Sequence, residues 1–139
     1  MVVGFIGAGN MGGAYINALN KELYFYETNK ERIKELEENT LGKGVETLKE
    51  LVEKSDILVL AIKPQILDRV LDDLKELNIK DKVLVTLVVG VKIDYYQKKL
   101  GNIKIVRVMP NTPVQVKMGV AGATFVGLNK EEKSEVLDM

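Results

Sequence analysis

The chain has 139 residues with twenty basic and twenty acidic side chains, a length suited to one domain and a balance that offers no field to gather nucleic acid. Cysteine and histidine are absent, which excludes disulfides, thiolate metal sites, a cysteine nucleophile and the commonest proton shuttle and metal ligand. No apolar run can span a bilayer and Met1 opens directly into a strand pattern, so the expectation is a cytoplasmic protein with no membrane, nucleic-acid or metal partner.

Val2–Ile6 reads as a buried strand that runs straight into Gly7-Ala8-Gly9-Asn10-Met11-Gly12, a Gly-x-Gly-x-x-Gly loop, and Met11–Leu19 as the helix that follows. Each glycine has a task in a dinucleotide site. Gly7 permits the tight turn off the strand, Gly9 lets the backbone approach a pyrophosphate, and Gly12 allows the helix to pack closely on the sheet. The phosphates would sit over the first N–H groups and the positive dipole end of that helix. The competing reading is a glycine-rich turn with no ligand.

Leu23–Tyr26 is a second short strand, and Glu27 follows it twenty residues after Gly7. A carboxylate there can accept hydrogen bonds from the 2′ and 3′ hydroxyls of an adenosine ribose and repels a 2′-phosphate, which favours NAD over NADP. A surface glutamate in a polar loop is the plainer alternative, and Thr28, Asn29 and Lys30 could between them hold a phosphate. Lys30–Glu38 is a charged amphipathic helix with Ile33 and Leu36 inward, broken at Gly42 and Gly44, after which Val45 begins a short third strand.

Leu48–Lys54 is a helix of two turns, and Ile57–Ile62 an apolar run of the kind covered on both faces in a parallel sheet. Ala61-Ile62-Lys63-Pro64 ends that strand. Its small residues leave room for the adenosine side of a cofactor, Pro64 starts a helix through Leu77, and Lys63 is either an anion contact or a solvated lysine. Val83–Val89 is the next strand, where Val89 and Gly90 form an apolar floor for a nicotinamide ring. Ile93–Leu100 is a helix, Ile103–Met109 and Gly122–Val126 are strands, and the residues from Lys130 onward are helical. Asn111, between Pro110 and Pro113, can bond a carboxamide, order a water or simply form a turn.

This alternation predicts an α/β, Rossmann-type doubly wound, mostly parallel sheet with helices on both faces, filling residues 1–139 as one dinucleotide-binding domain. The loops after Ile6, Tyr26, Ile62, Val89 and Met109 then share one rim.

Three segments carry a more specific likeness. Gly7-Ala8-Gly9-Asn10-Met11-Gly12-Gly13-Ala14, Ala61-Ile62-Lys63-Pro64-Gln65 and Arg107-Val108-Met109-Pro110-Asn111-Thr112-Pro113 occur in order, and together they resemble the signature segments of pyrroline-5-carboxylate reductase. The resemblance implies reduction of a cyclic imino acid to proline with NAD(P)H. It places cofactor contacts on the Gly7–Gly12 loop, the Ala61–Pro64 turn, Val89-Gly90 and Asn111, and it names no catalytic acid in this chain. It also implies a second, helical domain that dimerises and builds most of the imino-acid site, so that the full-length protein is a homo-oligomer and this chain its cofactor half. Two positions depart from the family pattern. Leu48 stands where many relatives have asparagine, and Glu27-Thr28 replaces pairs suited to NADP, which tilts the expected cofactor towards NADH. The alternatives are a free-standing nucleotide-binding or regulatory module without catalysis, and another imine or F420-linked reductase.

Overall fold

In the computed structural model, residues 1–19, 21–109 and 122–138 are described. Seven strands form one sheet in the order β3-β2-β1-β4-β5-β6-β7: β1 (Val3–Ile6), β2 (Leu23–Tyr26), β3 (Gly42–Gly44), β4 (Ile57–Leu60), β5 (Val83–Thr86), β6 (Lys104–Met109) and β7 (Gly122–Val126). All neighbouring pairs are parallel except β6 with β7, where the edge strand runs antiparallel. Helices α1 (Asn10–Leu19), α2 (Lys30–Asn39) and α6 (Lys130–Leu137) cover one face through Tyr15, Ile16, Leu36 and Val136. Helices α3 (Leu48–Lys54), α4 (Leu67–Leu77) and α5 (Ile93–Leu100) cover the other through Leu51, Leu71, Leu74 and Tyr96. With both faces roofed, β1, β4 and β5 are buried at every position, which is why they read as largely apolar runs, Thr86 being the polar exception. Strand order reverses between β1 and β4, and that junction is where a doubly wound sheet opens a ligand crevice.

Several boundaries differ from the sequence reading, for reasons of pairing, packing or local turn geometry. The strand expected to run to Ile62 stops at Leu60, because Ala61 N–H donates to Ile6 O, the last carbonyl of β1 (2.9 Å). Its neighbour stops at Thr86 instead of Val89: Leu87 N–H···O Leu60 (3.0 Å) is its last bond to β4, and its register with β6 ends at Arg107 although β6 continues to Met109. The third strand is Gly42–Gly44 and does not begin at Val45. Those glycines are strand residues because a Cβ at Gly42 would meet Leu23 and Phe25 at 3.2 Å, and one at Gly44 would meet Ile33 of α2 at 3.0 Å. The helix expected from Pro64 starts with a tight 3₁₀ turn, Pro64–Ile66, in which Ile66 N–H reaches Lys63 O (3.1 Å), and turns α-helical at Leu67.

The last helix is fastened by its own sequence. Asn129 Oδ1 accepts from Glu132 N–H (2.8 Å) while Glu132 Oε1 accepts from Asn129 N–H (3.0 Å), a reciprocal capping box. The other oxygen of Glu132 pairs with Lys104 Nζ of β6 at 2.8 Å. Burial pushes this carboxyl upward, but the Lys104 ammonium and the Asn129 N–H outweigh it and hold the group below the usual carboxylate range. A lowered carboxyl stabilises the fold above the unfolded-state value of about 4.3 and loses that contribution as pH falls through its folded value. We expect Glu132→Ala to cost about 1–2 kcal/mol at neutral pH. Urea unfolding should show that gap narrowing as the pH is lowered past 4 on the same carboxylate scale; a gap constant with pH would remove the charge from the account.

Candidate functional site

The glycine loop sits at the carboxyl end of β1. Gly7 has φ +87°, and its N–H donates to Tyr26 O of β2 (2.9 Å). A Cβ there would lie 2.6 Å from the backbone oxygen of Ala61, so the left-handed turn and the passage past β4 both demand glycine. Gly12 faces the same wall: its Cβ would sit 2.8 Å from both Ala61 Cβ and Gly7 O, and its absence lets α1 close on the strand ends. Gly9 is different. Among the described residues, nothing beyond its own chain neighbours lies within 4 Å of where its Cβ would stand, which leaves the loop backbone open to a ligand at that point. Asn10 and Met11 begin α1 directly behind it, and the unpartnered N–H groups of a helix start favour an anion there.

A cleft of about 410 Å³ opens over the β1–β4 junction and brings together Gly7, Ala8, Gly9, Glu27, Thr28, Ala61, Ile62 and Lys63, with Ile6, Tyr26, Ile66 and Val70 supplying its apolar wall. The carboxylate of Glu27 is committed to the local backbone. One oxygen accepts from Ala8 N–H (3.0 Å) and the other from Thr28 N–H (2.8 Å) and Asn29 N–H (3.0 Å). An ionised carboxylate has about four acceptor positions, so one remains for a further donor. Asn29 is the N-cap of α2, its side-chain oxygen accepting from Arg32 N–H (3.1 Å), which gives that oxygen a structural task. Leu48 opens α3 and packs against the core on the face covered by α3, α4 and α5.

The other predicted residues lie further along the rim. Val89 stands 78% exposed and Gly90 turns with φ +82°. Gly90 and Pro64 line a second cavity of about 310 Å³ with Leu67, Asp68, Val91, Lys92 and Tyr95, next to the first along the strand ends. The chain before Val89 is held by buried hydroxyls: Thr86 Oγ1 accepts from Val88 N–H (3.2 Å) and shares a hydrogen bond with Tyr96 OH (2.6 Å). Burial raises the Tyr96 phenol, against smaller lowering effects of the Thr86 bond and the Arg107 charge, so it serves as a neutral hydrogen-bonding group. Asn111 and the Pro110–Pro113 stretch lie outside the described residues. Among the described residues no cluster of acidic side chains could hold a metal, and no helix is long and apolar enough to cross a membrane.

One residue escaped the sequence reading. Arg32, in the first turn of α2, reaches back so that its Nε donates to Ala8 O (2.8 Å) and Nη2 to Gly9 O (3.3 Å), while Nη1 pairs with Glu35 (3.1 Å). The available signal was Gly13, a fourth glycine that the loop pattern does not require.

Residues 2–90 match the model of a family described as NADP oxidoreductase, coenzyme F420-dependent. The chain belongs to this family. It is similar to pyrroline-5-carboxylate reductase of Escherichia coli (strain K12), 31% identical over 146 aligned residues that take in 99% of this chain and 54% of the relative. Among solved structures, a pyrroline-5-carboxylate reductase from Coxiella burnetii superposes with a TM-score of 0.83 at 25% identity, covering 96% of this chain and 53% of that one. The Plasmodium falciparum pyrroline carboxylate reductase with NADP bound gives 0.78 at 29% identity, covering 98% and 52%. The chain thus spans about half the length of the relatives it matches. The likeness suggested by the three sequence segments and the doubly wound fold both agree with these relatives.

Proposed function

We propose that this chain is the dinucleotide-binding part of an NAD(P)H-dependent pyrroline-5-carboxylate reductase. The observation that carries the reading is the open backbone at Gly9, set between the start of α1 and the acid-ended β2 over the crevice of the sheet. The loop of Gly7, Ala8, Gly9, Asn10, Met11 and Gly12 would receive the pyrophosphate through its N–H groups from Gly9 onward, since those of Gly7 and Ala8 are bonded to Tyr26 O and Glu27. Glu27, with the Thr28-Asn29 backbone, would meet the adenosine ribose, and Ala61, Ile62, Lys63 and Pro64 would flank the adenosine side. Val89 and Gly90 would lie under the nicotinamide, and Asn111 would meet its carboxamide.

When bound, the reduced nicotinamide supplies hydride to the carbon of the ring C=N bond of an imino acid, and the imine nitrogen gains a proton to give proline. The residues of this chain bind and orient: the glycine loop fixes one end of the cofactor and the Val88–Gly90 turn the other, so their contribution is positioning. We assign no catalytic acid here. The second half of the full-length enzyme would supply the imino-acid pocket and the contacts of a homo-oligomer, and the setting we propose is cytoplasmic. The fixed charge of Glu27 favours NADH over NADPH.

Calorimetric titration of the 139-residue chain with NADH and NADPH tests the reading. We expect one NADH site with a dissociation constant below about 1 mM, equivalent to some 4 kcal/mol. No heat from either nucleotide in this range would remove the proposal, and tighter NADPH binding would remove its NADH arm.

A further inference from the structure

The segment after β2 grips Ala8 from both sides. Glu27 accepts from its N–H, and Arg32 donates to its C=O and to the next one, at Gly9. Gly9 O also receives Gly13 N–H (2.7 Å), the first bond of α1, so the guanidinium is tied to the carbonyl that starts this helix. Space for it exists because residue 13 has no side chain. A methyl group at Gly13 would overlap Arg32 Nη2 and lie 3.1 Å from Cζ. Glu35 orients the third nitrogen, completing a fork that lysine cannot reproduce.

Resting on the dinucleotide reading above, we propose that Arg32 is a positioning residue for cofactor binding. It locks the carbonyl side of the glycine loop in the geometry in which the opposite N–H side receives a pyrophosphate, and Gly13 is its socket. An arginine this close to the start of its own helix sits at an unfavourable dipole end. Its engagement with two loop carbonyls of a different element compensates for that placement, and its positive charge, lodged beside the first turn of α1, adds to the attraction for an anion. A loop already held in its binding shape loses less freedom when ligand arrives.

The test is a double-mutant cycle on the intact chain, read by NADH calorimetry. Arg32→Ala is expected to weaken NADH on the order of tenfold, the effect of losing a charge-assisted hydrogen-bond pair. Gly13→Ala, which evicts the guanidinium and meets the loop only at an ordinary contact distance, 3.6 Å from Ala8 O, should do nearly the same, and the double variant should be no weaker than either single one. Arg32→Lys should recover part of the loss. Amide exchange without ligand supplies an independent reading, with Ala8 and Gly9 N–H exchanging faster in Arg32→Ala and Gly13→Ala. Additive losses, or Gly13→Ala binding like wild type, would overturn the role of Arg32. If Arg32→Ala does not fold, Gly13→Ala and Arg32→Lys decide alone. Wild-type chain that binds no NADH while its loop amides still loosen in the variants would instead overturn the cofactor reading and leave the clamp standing.

Discussion

Gly7→Ala and Gly9→Ala, two substitutions of the same kind two residues apart, are expected to fail in different ways. At Gly7 the backbone has φ +87°, which costs an L-residue about 1–2 kcal/mol. The added carbon would also press on Ala61 O at 2.6 Å and Ile62 Cγ2 at 2.8 Å. The first of these is backbone at the end of β4 and cannot swing aside, so the strain spreads into the β1–β4 pair at the centre of the sheet. We expect a total destabilisation of about 2–4 kcal/mol, a large share of what a domain of this size has to lose. At Gly9 the new methyl group meets no atom of the described residues beyond its chain neighbours, and the backbone is not left-handed. Stability should stay within about 1 kcal/mol of wild type, the usual range for a residue next to a helix start. NADH binding should nevertheless be lost, because the methyl group occupies the approach path of the pyrophosphate. Urea unfolding and NADH titration of both variants separate the effects. Gly9→Ala that binds normally would mean that the open backbone is not the ligand face.

The contrast shows what the sequence could and could not convey. The fold was largely legible because its determinants are local: apolar runs for strands roofed on both faces, helical spacing for α4, and a glycine pattern between β1 and α1. The ends of β4 and β5 were not, because a strand stops where its bonds to the neighbouring strands stop. Ala61 and Leu87 make the last bonds, to Ile6 and Leu60, and no local preference of Ile62 or Val89 reports that. The direction of β7 is likewise a property of its pairing with β6. Gly42 and Gly44 read as breakers because the reason for them, Phe25 and Ile33 pressing on β3, lies elsewhere in the chain. The lining of the candidate cleft was legible in part. Its glycines and Glu27 stand at positions set by the turn itself. Arg32 acts over 23 and 24 residues on carbonyl groups, and carbonyls carry no sequence signature.

Charge at the end of β2 gives the other large expected effect. Glu27 binds three backbone N–H groups, from Ala8, Thr28 and Asn29, a concave donor set of the kind that otherwise receives a phosphate. While the carboxylate occupies it, a cofactor 2′-phosphate meets a negative charge where it would need donors. Glu27→Gln removes the charge and keeps a carbonyl oxygen that can still accept from the loop. Glu27→Ala also empties the donor set and loosens the hold on Ala8. Both should weaken NADH and strengthen NADPH, moving the ratio of their dissociation constants by at least tenfold, or about 1.4 kcal/mol, towards NADPH. Glu27→Ala should show the larger NADPH gain, since three unpaired donors become available to the phosphate, with Lys30 at hand in the first turn of α2. The wild-type preference should shrink in high salt, because half-exposed charges are screened over about 10 Å at 0.1 M. Titrations of the three proteins with both nucleotides at low and high salt decide the matter. A ratio unmoved by either substitution would show that the selectivity is set elsewhere, and that Glu27 acts solely as the brace of the glycine loop.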